Sequence, residues 1–386
     1  MRASPFAFLR GSAAVMAADL ASLPVRGVDV QLCGDAHLAN FGAYASPEGN
    51  PVFDVNDFDE TWPGPFEWDV KRLATSLVVR GREESMSARE CRALATRCAR
   101  QYQRHLRQLA KLSPLEAWQS SIGLEAAIAG IDRGKLRRKL EKRLRGAMTA
   151  SAGAYGLVDG TGRAPVLARH DTLVRLPSYQ PTIDAAFAAW PATLQPQYAD
   201  LAGRYRLADR AFKVVGIGSV GTFCAVGLFL SEGGAALLLQ LKEAQPSVLS
   251  GLTDAAPVAS QGERVVTGQR RLQAQSDIFL GWTPVPVDGR EFYVRRLKDS
   301  RLARIGAAIE ADTLSFYATL CGRTLARAHG RAGDAGRIVG AIDGFEGTFA
   351  ETIADFAVAY ADQTEMDHAT FCRAVDEGKP MLSWAA

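Results

Sequence analysis

The chain changes character in its middle. "AFKVVGIGSVGTFCAVGLFL" (211–230) and "AALLLQLKEA" (235–244) are β-branched, aromatic and leucine-rich runs with Gly-marked turns, and "REFYVRRLKD" (290–299) adds another strand. Helical spacing dominates on both sides, over 5–20, 66–80 and 87–112 before the block, and over 312–330 and 345–374 after it. Residues 115–150 continue as helix with Gly breaks, and 261–275 read as a helix inside the block. Strands gathered between helical ends define an α+β chain, and 386 residues favour two lobes over one. The expected division is a helical lobe over 1–150, a connection over 151–207 where Gly, Ala and Pro leave weak periodicity, a β-rich lobe over 208–300, and C-terminal helices over 301–386 that complete the helical lobe.

Composition narrows the function classes. An apolar share of 47% with 23% charged residues is that of a folded globular protein, and a net charge of +3 does not call for nucleic acid. The densest basic run, "RGKLRRKLEKRLRG" (133–146), places Leu136, Leu140 and Leu144 at helical spacing, so a helix with one buried and one solvated face is preferred to a phosphate or RNA site. The six cysteines form no CxxC pair and no zinc spacing, which fits reduced thiols in a cytoplasmic protein. The N-terminal run "MRASPFAFLRGSAAVMAADLA" is interrupted by Pro5, Arg10 and Asp19, so a domain helix is expected there; no segment has the length of a membrane span.

"QLCGDAHLANFG" (31–42) and "VFDVNDFDE" (52–60) set Asp35, His37, Asn40, Asp54, Asp57, Asp59 and Glu60 close together among strand-like flanks. Carboxylates packed this closely repel one another unless a cation, a proton or a basic side chain compensates them. Turn and cap chemistry explains two or three such residues, not seven. "GDAH" also fits metal-dependent phosphoesterases, but those sites need further histidines, and His105, His170, His329 and His368 lie outside any ligand-like motif.

The β block carries Gly216, Gly218 and Gly221 in GxGxxG spacing, with Ser219 between them, and Lys242 at the end of the next strand. In a dinucleotide fold the glycines would open a helix, whereas here "TFCAVGLFL" continues as a strand. A plain hairpin with Gly-permitted turns accounts for the same residues. A glycine-rich hairpin over a nucleotide, with a lysine on the following strand to pair its phosphates, accounts for Lys242 as well and is the arrangement of kinases. In the same class a catalytic Asp is followed five positions later by a metal-binding Asn and then by an Asp-Phe segment, the spacing of Asp35, Asn40 and Asp57-Phe58. The expected cofactors are ATP and Mg2+, since Asp and Asn oxygens suit a hard ion that also holds phosphates. For the acidic partner of Lys242, Glu263 in "QGERVVTGQRRLQAQ" is the choice, because Glu243 points to the opposite side of its strand.

"GDAHLANF…VNDFDETWPGPFEWDVKRLA" is similar to the aminoglycoside phosphotransferase and choline kinase pattern, HGDxHxxN, then IDFxDA, then WDLA. The resemblance implies Asp35 as the catalytic aspartate, Asn40 and Asp57 as magnesium ligands, and Asp69 as the aspartate that braces the catalytic loop, with His37 in support; Cys33 stands where the pattern has His. The whole chain resembles more closely the bacterial family known as domain of unknown function 2252, of the protein-kinase-like superfamily, through "ASPFAFLRG", "QLCGDAHLANFG", "FDVNDFDETWPGPFEWDVKRLATSLVV", "GSVGT", "LKEAQPSVL", "QSDIFLGW" and "YADQTEMDH". It also implies that Met1 is an internal Met of the family, with a short leader before it. Kinases run glycine loop, lysine, hinge, helix, catalytic loop, Asp-Phe segment; here the last two come first, and a hinge-like "FYVRRL" and the helix "YATLCGRTLARAHG" come last. The implied fold is therefore a two-lobed, circularly permuted kinase-like one. The implied activity is phosphoryl transfer from ATP to a hydroxyl of an unidentified small molecule or protein; AMP transfer and nucleotide binding without turnover are the alternatives.

Overall fold

The structure is a computed structural model that describes residues 1–25, 27–131, 134–149, 157–159, 165–168, 170–214, 221–297, 311–344 and 348–378. Helices α1 (Pro5–Gly11) and α2 (Ala13–Ala21) lead into strand β1 (Asp29–Leu32), hairpin β2 (Phe41–Ala45) and β3 (Pro51–Val55), and strand β4 (Trp62–Pro65). Then come α3 (Phe66–Glu83), α4 (Ala88–Leu109), α5 (Pro114–Gln119), α6 (Leu124–Ala129) and α7 (Gly134–Thr149). Short strands β5 (Val158–Asp159), β6 (Val166–Leu167) and β7 (Leu173–Val174) precede α8 (Gln180–Ala189) and α9 (Pro196–Ala202). The β block follows as β8 (Tyr205–Lys213), β9 (Cys224–Ser231), β10 (Ala236–Glu243), α10 (Gln261–Leu272), β11 (Gly281–Trp282) and β12 (Phe292–Arg296), and α11 (Ala311–Ala332), α12 (Ala335–Asp343) and α13 (Phe349–Asp376) close the chain. The chain is α+β, as its sequence indicates.

The β block forms one antiparallel sheet in the order β11-β12-β10-β9-β8-β7. Strand β10 is central, with Lys242 opposite Cys224 of β9 and Tyr293 of β12. Strand alternation sends Leu239, Leu241, Phe292 and Val294 to one face, where they pack with Ile183, Phe187 and Trp190. Residues 151–207, expected as a connection, thus contribute helices to the sheet; Pro181 and Pro196 sit in the first turns of α8 and α9, where a missing N–H costs nothing.

The largest core draws on both ends of the chain, joining α1–α4, α6 and α7 to α11–α13. In it Phe66 stacks on Tyr102 and both meet Phe349 at a tilt, with ring centroids 6.2–6.3 Å apart. Helix α4 opens with a capping box between Ser87 and Glu90, and α11 crosses it so closely that a Cβ on Gly322 would lie 2.3 Å from the Cys98 carbonyl oxygen. Arg2, ahead of α1, pairs with Asp376 at the end of α13 at 2.5 Å. Leu136, Leu140 and Leu144 of α7 are buried and Arg137, Arg138 and Lys142 exposed, as the spacing predicts. Among the described residues no helix is long and apolar enough to cross a membrane.

Candidate active site

Helix α3 is buried almost all round, yet it carries Asp69, Arg72 and Ser76 at i, i+3 and i+7, a buried polar stripe along one face. Each stripe residue holds part of the loop that follows β1. Asp69 accepts the backbone N–H of Cys33 (2.8 Å) and of Gly34 (3.1 Å), Arg72 pairs with Asp35, and the Ser76 hydroxyl accepts the N–H of Leu38 at 2.9 Å. Asp69 also faces His329 Nε2 of α11 at 3.1 Å, while Tyr102 reaches His329 Nδ1 at 2.8 Å. If Nε2 carries the proton to Asp69, Nδ1 is left to accept from the tyrosine. The loop is braced through backbone groups at Cys33 and Gly34, so a cysteine side chain at position 33 does not remove the brace.

Gly34 has φ +85°, and a Cβ there would lie 2.0 Å from the Glu60 carbonyl oxygen. Only glycine allows the loop to lie this close to the Asp-Phe segment. Arg72 donates from Nε to Oδ1 of Asp35 at 2.6 Å, and its Nη2 lies 2.5 Å from the same oxygen as an ion pair. The other oxygen, Oδ2, faces Asn40 Nδ2 at 3.3 Å and His37 Nε2 at 3.5 Å. His37 Nδ1 accepts the Ala39 N–H, so the ring proton sits on Nε2; burial lowers the imidazole to about 4 and keeps it neutral.

Asn40 donates its amide nitrogen to the Asp35 carbonyl at 2.8 Å and keeps its Oδ1 for another partner. Its own carbonyl accepts the N–H of Asn56, which brings the loop beside Asp57 at the base of the β2–β3 hairpin. Oxygens of Asn and Asp fit a hard divalent ion that completes its shell with phosphates and water. Among the described residues no group of three or more His, Cys, Asp and Glu is arranged to hold a metal ion.

Lys242, 185 residues later in the chain, reaches this segment from the sheet: its Nζ is 3.5 Å from Asp57 Oδ1 and is also paired with Asp59. Burial works against the ammonium, but Asp57 and Asp59, with Tyr293, outweigh it and hold the amine well above its ordinary range. The Tyr293 hydroxyl donates to Asp59 at 2.5 Å. Glu60 accepts the Val248 N–H at 2.7 Å, yet its burial raises the carboxyl to about 7.

The positive charge that the acidic cluster demands therefore comes from basic side chains: Arg72 for Asp35, Arg327 for Asp54, and Lys242 for Asp57 and Asp59. Asp54 belongs to the core and not to the cleft, since both partners of its ion pair are buried. Glu263, expected to pair with Lys242, is exposed in the first turn of α10 with its N–H on Ser260 Oγ, and the structure does not bring it to the lysine. The helical phase turns its neighbour Arg264 inward instead, onto the carbonyls of Asp59, Thr61 and Gln245. Gly216, Gly218 and Ser219 lie outside the described residues; Gly221, with φ +91°, stands just before β9, whose Cys224 is opposite Lys242.

Sequence reasoning named Asp59 in the acidic cluster but not as the partner of Lys242, and it missed the roles of Arg72, Ser76, Arg264, Tyr293 and His329. The stripe at 69, 72 and 76 was a readable signal for three contacts to the loop; the others depend on chain segments far apart in sequence.

The chain belongs to the family described as an uncharacterized protein conserved in bacteria, DUF2252, whose pattern it matches over residues 1–374. No curated protein and no solved structure matches it.

Proposed function

We propose that the protein is a magnesium- and ATP-dependent phosphotransferase on a circularly permuted, two-lobed kinase-like fold. One observation carries the reading: a lysine on the central strand of an antiparallel sheet and an Asp-Phe segment on the helical side, 185 residues apart in the chain, meet beside an Asp-x4-Asn loop.

In this reading Asn40 and Asp57 hold magnesium, which supplies charge neutralisation on the transferred phosphoryl group. Lys242 and the glycine-rich segment at Gly216, Gly218 and Gly221 hold the phosphates. Asp59 and Tyr293 fix the lysine. Asp35 orients the acceptor hydroxyl and takes its proton at Oδ2, because Oδ1 is already engaged twice by Arg72.

The test is incubation with Mg–ATP, quantification of ADP, and mass spectrometry of protein and candidate acceptors. Asp35→Asn should lower turnover by roughly a hundred- to ten-thousand-fold while nucleotide still binds. Unchanged turnover removes Asp35 from the mechanism. Transfer of AMP, or binding with no turnover, replaces phosphoryl transfer with one of the two alternative activities.

A further inference from the structure

The geometry points to Arg72 as the positioning residue that sets Asp35 and ties it to the N-terminal helices α1 and α2. Its side chain is 3% exposed, and four contacts account for its guanidinium. Nε and Nη2 reach Asp35 Oδ1, Nη2 also donates to the Leu9 carbonyl of α1 at 2.8 Å, and Nη1 lies 3.5 Å from the Met16 sulfur of α2. Leu9 is in the last turn of α1, where its carbonyl also accepts the Ser12 N–H at 3.3 Å, so Arg72 adds a second, charged donor to the end of that helix.

The planar fork has a consequence for the carboxylate. A guanidinium that grips Oδ1 from two nitrogens fixes the side-chain torsion of Asp35, and the remaining oxygen, Oδ2, is the one shared with Asn40 and His37. A lysine at position 72 would bring one point charge on a flexible stem and could not hold Asp35 and Leu9 in the same geometry. The adjoining cavity, bounded by Met16, Leu20, Gly34, Trp68, Asp69 and Arg72, measures only about 10 Å3. It holds at most about one water while Arg72 is in place, so the guanidinium meets Asp35 directly and not through a hydration shell. Helix α1 is anchored a second time through the Phe6 N–H on Glu83 Oε1 at 2.7 Å, so it stays docked when Arg72 is altered.

The catalytic consequence rests on the role proposed above for Asp35; the coupling between α1 and the loop does not. The experiment therefore has two readouts, taken on the full chain as wild type, Arg72→Ala and Arg72→Lys. Amide hydrogen exchange by mass spectrometry should speed up in both 5–11 and 35–40 in Arg72→Ala, with α4 unchanged. Mg–ATP turnover should fall about a hundredfold in kcat, as for other misplaced catalytic groups, with KM for ATP within about threefold. Tens of millimolar guanidinium should restore a large part of kcat in Arg72→Ala but not in Arg72→Lys. Unchanged exchange over 35–40 overturns the inference, and so does a kcat within threefold of wild type. If Arg72→Ala does not fold, Arg72→Lys is read by the same two criteria. If the wild type turns over no Mg–ATP, the phosphotransferase reading falls, and the exchange data still decide the coupling.

Discussion

Replacing Arg327 by Met tests how the acidic cluster is compensated. Arg327 and Asp54 are ion-paired with side-chain exposures of 0% and 1%, Arg327 Nη1 also donates to the Leu272 carbonyl at 2.5 Å, and Asp54 accepts the N–H groups of Ala274 (2.9 Å) and Val55 (2.8 Å). Removing Arg327 leaves a buried carboxylate with two backbone bonds and only the weaker pull of Arg331 against its charge, and loss of one partner of a buried pair costs about 3–5 kcal/mol. That is a large part of the total stability of a typical protein, so the unfolding midpoint should drop steeply. Asp54→Asn on the Arg327→Met background removes the uncompensated charge and keeps an acceptor for Ala274, so the double variant should recover about 2 kcal/mol or more over the single one. The pH dependence follows from burial, which raises the Asp54 carboxyl against the opposing pull of Arg327. Without the arginine the folded-state value rises further. The folded state then holds a proton that the unfolded state has released, and the penalty of Arg327→Met should shrink as pH falls from 8 towards 5. Denaturant unfolding followed by circular dichroism at several pH values measures all three quantities. A penalty below about 1 kcal/mol, or a double variant no more stable than the single one, would refute the reasoning.

Gly34→Ala should cost about 3 kcal/mol or more, because φ +85° strains any L side chain and the new Cβ would collide with the Glu60 carbonyl; a midpoint within error of wild type would contradict the close packing of the two segments. Glu60 and His37 act on stability in opposite directions. Glu60, raised by burial to about 7, adds stability as pH falls from about 7 towards 4.5, whereas His37, lowered by burial to about 4, loses stability as pH falls from 6.5 towards 4. Glu60→Gln should therefore expose a steeper acid loss between pH 6.5 and 4 and a relative gain at pH 8, read from unfolding free energies; a curve parallel to wild type would rule this out.

Much of the site was readable because its chemistry is local in sequence. Asp35 and Asn40 lie five positions apart in one loop, Asp69 follows in the same motif-bearing stretch, and Lys242 ends an apolar strand. The partner of Lys242 was not readable. Glu263 was the nearest acidic residue on the helix after the lysine strand, but one step of helical phase decides whether a side chain faces in or out, and that phase puts Arg264 inside and Glu263 in solvent. Asp59 lies 183 residues from Lys242, and only the packing of the sheet on the β2–β3 hairpin brings them together. Residues 151–207 read as a connection because Ala and Pro blur periodicity; the burial of Ile183, Phe187 and Trp190 on the sheet is a tertiary fact that no local pattern carries.

The central claim is that Lys242 and Asp57 meet around a metal-bound nucleotide. Isothermal titration of Mg–ATP into wild type, Lys242→Met, Asp57→Asn and Glu263→Gln tests it most directly. The account predicts binding by the wild type, affinity reduced about tenfold or more in the first two variants, which corresponds to the loss of about 1.4 kcal/mol, and an affinity within about twofold of wild type for Glu263→Gln. No binding of Mg–ATP by the wild type, or wild-type affinity in Lys242→Met, would contradict it.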